Sequence, residues 1–175
     1  MIHPVVPPVA AVAQKWDAVK KQRALWALLK IFSMEIKPAG TEEFQQALTL
    51  LQSNNLPVND LHSGTQLFVL EENGKVKGTV AAEYDYSSAL LRSLSVDESL
   101  RGMGSGKKLV TFLEQYLSQQ GVETIYLLTT TAAPFFKKLE YEIVDRSDVP
   151  AFIRNTTEFA SLCPASATVM KKALS

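Results

Sequence analysis

Seven residues, Arg101-Gly102-Met103-Gly104-Ser105-Gly106-Lys107, constrain this chain more tightly than any other stretch. They follow the strand-like run Ala89 to Val96 (ALLRSLSV) and precede Leu109, Leu113 and Leu117, spaced as on one face of a helix. Alternate glycines let the backbone turn tightly and approach a ligand without Cβ clashes. The N–H groups of such a loop and of the first helical turn lack intrahelical partners, and the helix dipole adds positive charge, so the segment is built for an anion. Arg101, Lys107 and Lys108 reinforce it. Two common phosphate motifs fail on spacing. A dinucleotide fingerprint needs Gly at 107, where Lys107 stands, and a Walker loop needs Gly at 101 and Ser or Thr at 108, where Arg101 and Lys108 stand.

The rest of the chain predicts an α+β domain around this segment. Met34 to Pro38 reads as a short strand. Thr41 is a good N-cap, followed by Glu42 and Glu43, and by Phe44, Ala47, Leu48 and Leu51 on one helical face. Residues 53 to 64 (SNNLPVNDLHSG) are rich in breakers and predict a loop. Gln66 to Glu71 and Lys75 to Tyr84 flank Asn73-Gly74, a strong hairpin signal. With Ala89 to Val96 they predict an antiparallel meander. A helix is expected over 104 to 120, then a strand at Thr124 to Thr129 buried on both faces, a short helix over 132 to 139 and a strand at Tyr141 to Val144. An insertion over 147 to 165 with one short helix precedes a last strand near 167 to 172.

Residues 1 to 33 stand apart as an amphipathic helical extension to a domain over 34 to 175. They carry five Lys or Arg and one Asp, and Ala10 to Phe32 contains no Gly or Pro. A packing helix, a homodimer arm and a membrane-surface helix are the readings open for it. The chain as a whole has 18 basic and 18 acidic residues, so no global basic field suggests nucleic acid. Cys163 is the single cysteine, which excludes an intrachain disulfide and fits a reducing cytoplasm. No apolar run reaches membrane-spanning length, and Lys15, Asp17, Lys20, Lys21 and Arg23 break any secretory pattern. Neither His3 nor His62 has neighbours at metal-ligand spacing, so no metal is expected.

Arg101, Gly104 and Gly106, set after a strand ending in Leu94 and Val96, resemble the pyrophosphate loop of the GCN5-related N-acetyltransferases, Arg or Gln followed by x-x-Gly-x-Gly or Ala. Residues 133 to 141 (APFFKKLEY) are similar to the family's A-x-x-F-Y-x-x-L-G-F, except that Phe136 replaces the usual Tyr and Glu140 the usual Gly. The resemblance spans about 34 to 172. It implies a mixed, mostly antiparallel sheet with helices on both faces, opening into a V-shaped cleft for acetyl-CoA. It places the pyrophosphate on the N–H groups of residues 101 to 107, and the pantetheine arm on the backbone of Leu94 and Val96, in a strand splayed by a β-bulge. The Val96 N–H becomes a candidate for polarising the thioester carbonyl. The usual Tyr protonates the departing thiolate in many relatives. A phenyl ring cannot, so water or another residue such as Tyr84 is left for that role. Residues 144 to 167 (VDRSDVPAFIRNTTEFASLCPASA) are similar to acetyltransferases encoded with arsenic-resistance genes, whose relatives acetylate glutamate-like phosphinic or arsinic antimetabolites.

These features lead to an acetyl-CoA-dependent N-acetyltransferase acting on a small amino-acid-like amine. Glu83, at a strand end, is the expected base, with Glu158 as a second candidate and substrate contact. Arg92 lies inside an apolar strand, on one face with Leu94 and Val96 by strict alternation, and is expected either to hold a substrate acid group or to form an internal ion pair. Arg154, in the insertion, is a further anion anchor. Thr129 ends the central strand and either lines the cleft or caps the next helix. Cys163 reads as an inert thiol. Two other readings compete: a protein N-terminal or lysine acetyltransferase, which needs an open groove, and a non-catalytic acyl-CoA sensor.

Overall fold

A computed structural model describes residues 34 to 174. The extension expected over residues 1 to 33 lies outside the described residues. Seven strands form one sheet in the order β1-β2-β3-β4-β5-β7-β6. They are β1 (Glu35–Pro38), β2 (Gln66–Glu72), β3 (Lys75–Tyr84), β4 (Ser88–Val96), β5 (Thr124–Thr129), β6 (Glu142–Ile143) and β7 (Thr168–Ala173). Among the described residues only β4 and β5 pair parallel, with a helix crossing between them, and the chain crosses again from β5 to β6, leaving room for β7 between them. The Asn73-Gly74 hairpin forms as expected, with φ of 54° and 75° at its two central residues, the left-handed pair that matches strand twist.

The α-helices among the described residues are α1 (Thr41–Ser53), α2 (Ser105–Gln119), α3 (Ala133–Lys137) and α4 (Ala151–Arg154). Thr41 is the first residue of α1 rather than its cap. Gly40 takes the cap position, and no side chain closes the end. Helix α2 covers one face through Leu109, Val110, Leu113 and Leu117, packed on Phe68, Val80, Leu91, Ile125 and Leu127. The opposite face carries two smaller clusters. One joins α1 to Leu67, Val69 and Ala81, and the other joins the insertion (Val149, Ile153, Phe159) to Leu90, Tyr126 and Val169. The insertion holds α4, a 3-10 turn at Arg146–Asp148 and a π turn at Glu158–Leu162, more structure than the one helix expected.

Strand β4 does not alternate strictly. Ala81 pairs with Arg92 and Thr79 with Ser95, so two residues of β4, Ser93 and Leu94, oppose one of β3, Val80. The extra residue is Ser93, with φ of 54°. This bulge flips the faces. Leu91, Leu94 and Val96 lie on the α2 side, and Arg92 lies on the other side with Leu90 and Ala81. The face shared by Arg92, Leu94 and Val96 in a regular strand is therefore corrected, because one inserted residue moves everything beyond it to the opposite face. Past the bulge β4 also leaves β5. Their pairing stops at Leu91 and Leu127, and the sheet opens into a V.

Leu109 is fully buried, and a Cβ on Gly78 of β3 would come within 2.9 Å of its Cδ1, so α2 sits hard against the sheet here. Leu109→Ala should cost about 2–5 kcal/mol of stability. Urea unfolding followed by circular dichroism checks this, and a loss under about 1 kcal/mol would show a looser core.

Candidate active site

The glycine-rich loop forms one arm of the V. Gly102 and Gly104 have φ of 75° and 82°, a backbone costly for any residue with a Cβ, and Gly104 caps α2. The Lys108 N–H is bonded to the Gly104 carbonyl at 3.0 Å. Ser105, Gly106 and Lys107 precede that first helical bond, so their N–H groups are free of it and gather at the positive end of the dipole. A Cβ on Gly106 would lie 3.4 Å from Phe135 Cζ and 3.9 Å from Val96 Cγ2, at the cavity wall. This cavity is about 470 Å³, bounded by Leu94 to Val96, the loop, Ala132 and Phe135. Met103, by contrast, is mostly exposed and is not among its lining residues.

Arg101, which also lines this cavity, makes bonds within the protein. Arg101 donates from Nε to the Val96 carbonyl at 3.1 Å and bonds Asn54 Oδ1, while Asn54 Nδ2 donates to Ser95 Oγ at 2.7 Å. Arg101 thus braces the end of β4 against α1. The Asp97 N–H points at β3, donating to the Lys77 carbonyl at 2.8 Å. Alternation back from Asp97 turns the N–H groups of Val96 and Leu94 the other way, into the gap between β4 and β5.

A second cavity of about 390 Å³ continues from the first, sharing Leu94 and Ala132. Its walls come from both faces of the sheet: Leu91, Leu127 and Phe136 from the α2 side, and Arg92, Glu158 and Cys163 from the other. It therefore runs through the split in the sheet. Thr129 lines it and also braces the turn before α3, its Oγ1 accepting the N–H of Ala132, the N-cap residue, at 2.9 Å. Phe136 is buried in its wall, edge-on to Phe135 and Tyr141.

Arg92 is the charged centre of this region, with its side chain 1% exposed. It bonds Glu83 Oε1 through one terminal nitrogen and Asp60 Oδ2 through the other. Its Nε lies 2.9 Å from Glu158 Oε2, in a contact too poorly aligned to be a hydrogen bond. Burial works to lower the guanidinium's pKa, but Glu158, Asp60 and Glu83 outweigh it and hold the group above its ordinary value. Glu158 responds oppositely. Burial pushes its carboxyl from an ordinary 4.5 up to about 7 against the pull of Arg92. The Cys163 thiol, 3.9 Å from Glu158 Oε1, is pushed up to about 11 by burial and by that carboxylate, which fits the inert thiol expected.

The sequence-predicted residues divide accordingly. Leu94, Val96, Arg101, Gly102, Gly104, Ser105, Gly106 and Lys107 come together at the first cavity, and Arg92, Thr129, Phe136 and Glu158 at the second. Glu83 is turned onto Arg92 and His62, 3.5 Å away, and does not line either cavity. Arg154 is exposed at the end of α4, away from both cavities. Tyr84 bonds Tyr116 at 3.2 Å beside Ala89, at the closed end of the V, which removes it as a proton donor to a thiolate. Asp60 was missed. It sits in a breaker-rich loop, and its partner is 32 residues away, so no local pattern marks it.

Residues 63–143, a little under half of the chain, match the family model of the acetyltransferase (GNAT) domain. Over 84 residues it is 37% identical to an uncharacterized N-acetyltransferase of Chlorobaculum tepidum, covering 47% of this chain and 54% of that protein. The chain thus spans about half the length of that curated relative. The fold is similar to a GNAT-family acetyltransferase of Staphylococcus aureus (TM-score 0.64, 20% identity, 82% of this chain and 100% of that one). It is also similar to the N-acetylglutamate synthase of Neisseria gonorrhoeae solved with coenzyme A and N-acetyl-glutamate (TM-score 0.70, 15% identity, 82% and 35%).

Because the Glu158 pKa is raised on folding, its contribution is fully present below about 4.5 and is lost as pH rises through about 7. Glu158→Gln mimics the protonated form. The stability of the variant relative to wild type, read from urea midpoints, should therefore climb between pH 4.5 and 7 and level off above. A flat difference would place Glu158 in a more solvated setting.

Proposed function

We propose that this chain transfers the acetyl group of acetyl-CoA to the amine of a small, amino-acid-like acceptor. One observation carries the reading: an anion cradle and a charged cavity join through a split in the sheet, with the N–H groups of Leu94 and Val96 lining the split. The cradle fits a pyrophosphate, since its Gly106 leaves open the space a Cβ would fill. Acetyl-CoA supplies an acetyl group activated as a thioester. The Val96 N–H is the fixed donor aimed into the gap where the thioester carbonyl would lie, worth on the order of 3 kcal/mol to a developing negative charge.

The acceptor must lose a proton before it attacks. Glu158 lines the second cavity and has a pKa near 7, close to the pH at which a base works best, whereas Glu83 is spent on Arg92. The base role moves from Glu83 to Glu158 on these grounds, and Glu83 becomes a positioning residue. The neutral amine then attacks the acetyl carbon. An N–C bond forms, the C–S bond breaks, and the amine's second proton ends on sulfur by way of water, because Phe136 has none to give.

The insertion walls the cavity with Glu158, Leu162, Cys163 and Pro164, which supports a small acceptor over a protein tail. Arg92 beside Glu158 supports an acceptor bearing both an acid group and an amine. The resemblance of residues 144 to 167 narrows this to phosphinic or arsinic antimetabolites, in keeping with a resistance role in the cytoplasm. The test is thiol release from acetyl-CoA with amino acids, phosphinic and arsinic amino acids, simple amines and short peptides. We expect turnover with acid-bearing amines. Binding of CoA with no turnover on any amine would leave a sensor, and turnover on peptides alone would move the acceptor to proteins.

A further inference from the structure

One guanidinium in this site faces three carboxylates, and the three are not held alike. Asp60 and Glu83 are hydrogen-bonded to the terminal nitrogens of Arg92 and stand behind it, neither lining the cavity. Glu158 alone lies on the cavity side. It reaches Nε at 2.9 Å without hydrogen-bond alignment, so Arg92 Nε and Glu158 Oε2 are both buried and unpartnered. Its other oxygen has only a long contact to Cys163 Sγ, 3.9 Å. A single positive charge does not neutralise three anions, and the surplus falls on the one with the poorest bond. Glu158 is also carried by a one-turn π segment of five residues, Glu158–Leu162, rather than by the sheet that carries Arg92 and Glu83.

We propose that Glu158 occupies, in the empty protein, the place on Arg92 Nε that the acid group of the acceptor takes, so that acceptor binding displaces Glu158 and frees it as the base. This rests on the acid-bearing acceptor proposed above and adds a coupling to it. The incoming acid anion replaces one carboxylate on Arg92 with another. The displaced Glu158 then accepts the proton of the acceptor's own ammonium, giving a neutral carboxyl and a neutral amine with no change in total charge. An amine without an acid group leaves Glu158 on Arg92, where it is a poorer base. The selection for acid-bearing amines is thereby built into the step that arms the base. Burial of Glu158, which favours its protonated form, supports the same direction.

The Arg92 Nε–H resonance of the full chain, 15N-labelled at arginine and saturated with CoA, reads the exchange without turnover. Glycine is the acid-bearing probe, and glycine methyl ester is the control. We expect glycine to shift this resonance and the ester to leave it in place. In Glu158→Gln, half-saturation by glycine should fall about fivefold, since a competing group no longer holds the site. Glu158→Ala serves as a second variant should the Gln form fold poorly. An Arg92 resonance unmoved by glycine, or an unchanged half-saturation in both variants, overturns the exchange. Acetyl transfer to simple amines with an unmoved resonance would sink the exchange and leave the transfer reaction standing, so the two failures are distinct.

Discussion

The extra residue at Ser93 is the constraint on which the site depends. Without it, β4 would run in register with β3 and β5 along its whole length, and the sheet would close. With it, β4 turns after Leu91, its pairing with β5 ends, and backbone N–H groups that a sheet would consume face a gap. A buried unpaired N–H is costly, so a fold that exposes two of them along one edge has reserved them for a partner. The same residue sends Arg92 to one face and Leu94 and Val96 to the other. The residues that the proposed reaction assigns to cofactor and acceptor are thus separated by a single insertion in one strand.

Charge follows that separation. The cradle gathers N–H groups and is braced by Arg101, which bonds the Val96 carbonyl and Asn54 while lining the cavity. Beside the second cavity, carboxylates gather around one arginine, drawn from the loop at Asp60, the sheet at Glu83 and the insertion at Glu158. A cluster with surplus negative charge is expensive to bury unless one member protonates or is exchanged, and Glu158 is placed for both. The insertion therefore supplies one wall of the second cavity and one of the three carboxylates on Arg92.

Much of this was legible in the sequence wherever the signal was local. The Asn73-Gly74 hairpin, the glycine loop with its helix, and the apolar β5 each rest on neighbouring residues, and all formed close to where the pattern put them. The bulge was not legible from periodicity, since ALLRSLSV alternates acceptably in either register. Only the family resemblance implied a splayed strand. Arg92 was marked because a charge inside an apolar strand needs a partner. Which partner could not be read, because Asp60 and Glu158 lie 32 residues before it and 66 after it. Arg154 misled for a related reason: a short insertion helix has no periodicity long enough to say which side faces the cavity.

The account turns on the N–H groups of Leu94 and Val96 standing free in the gap until a ligand pairs with them. Amide hydrogen exchange of the full chain with and without coenzyme A measures this directly. The account predicts that Leu94 and Val96 exchange quickly alone and become protected with coenzyme A, together with Ser105 to Lys107, while Leu90, already paired to the sheet, hardly changes. Protection confined to the loop, with Leu94 and Val96 unaffected, would contradict the split sheet as the cofactor's channel.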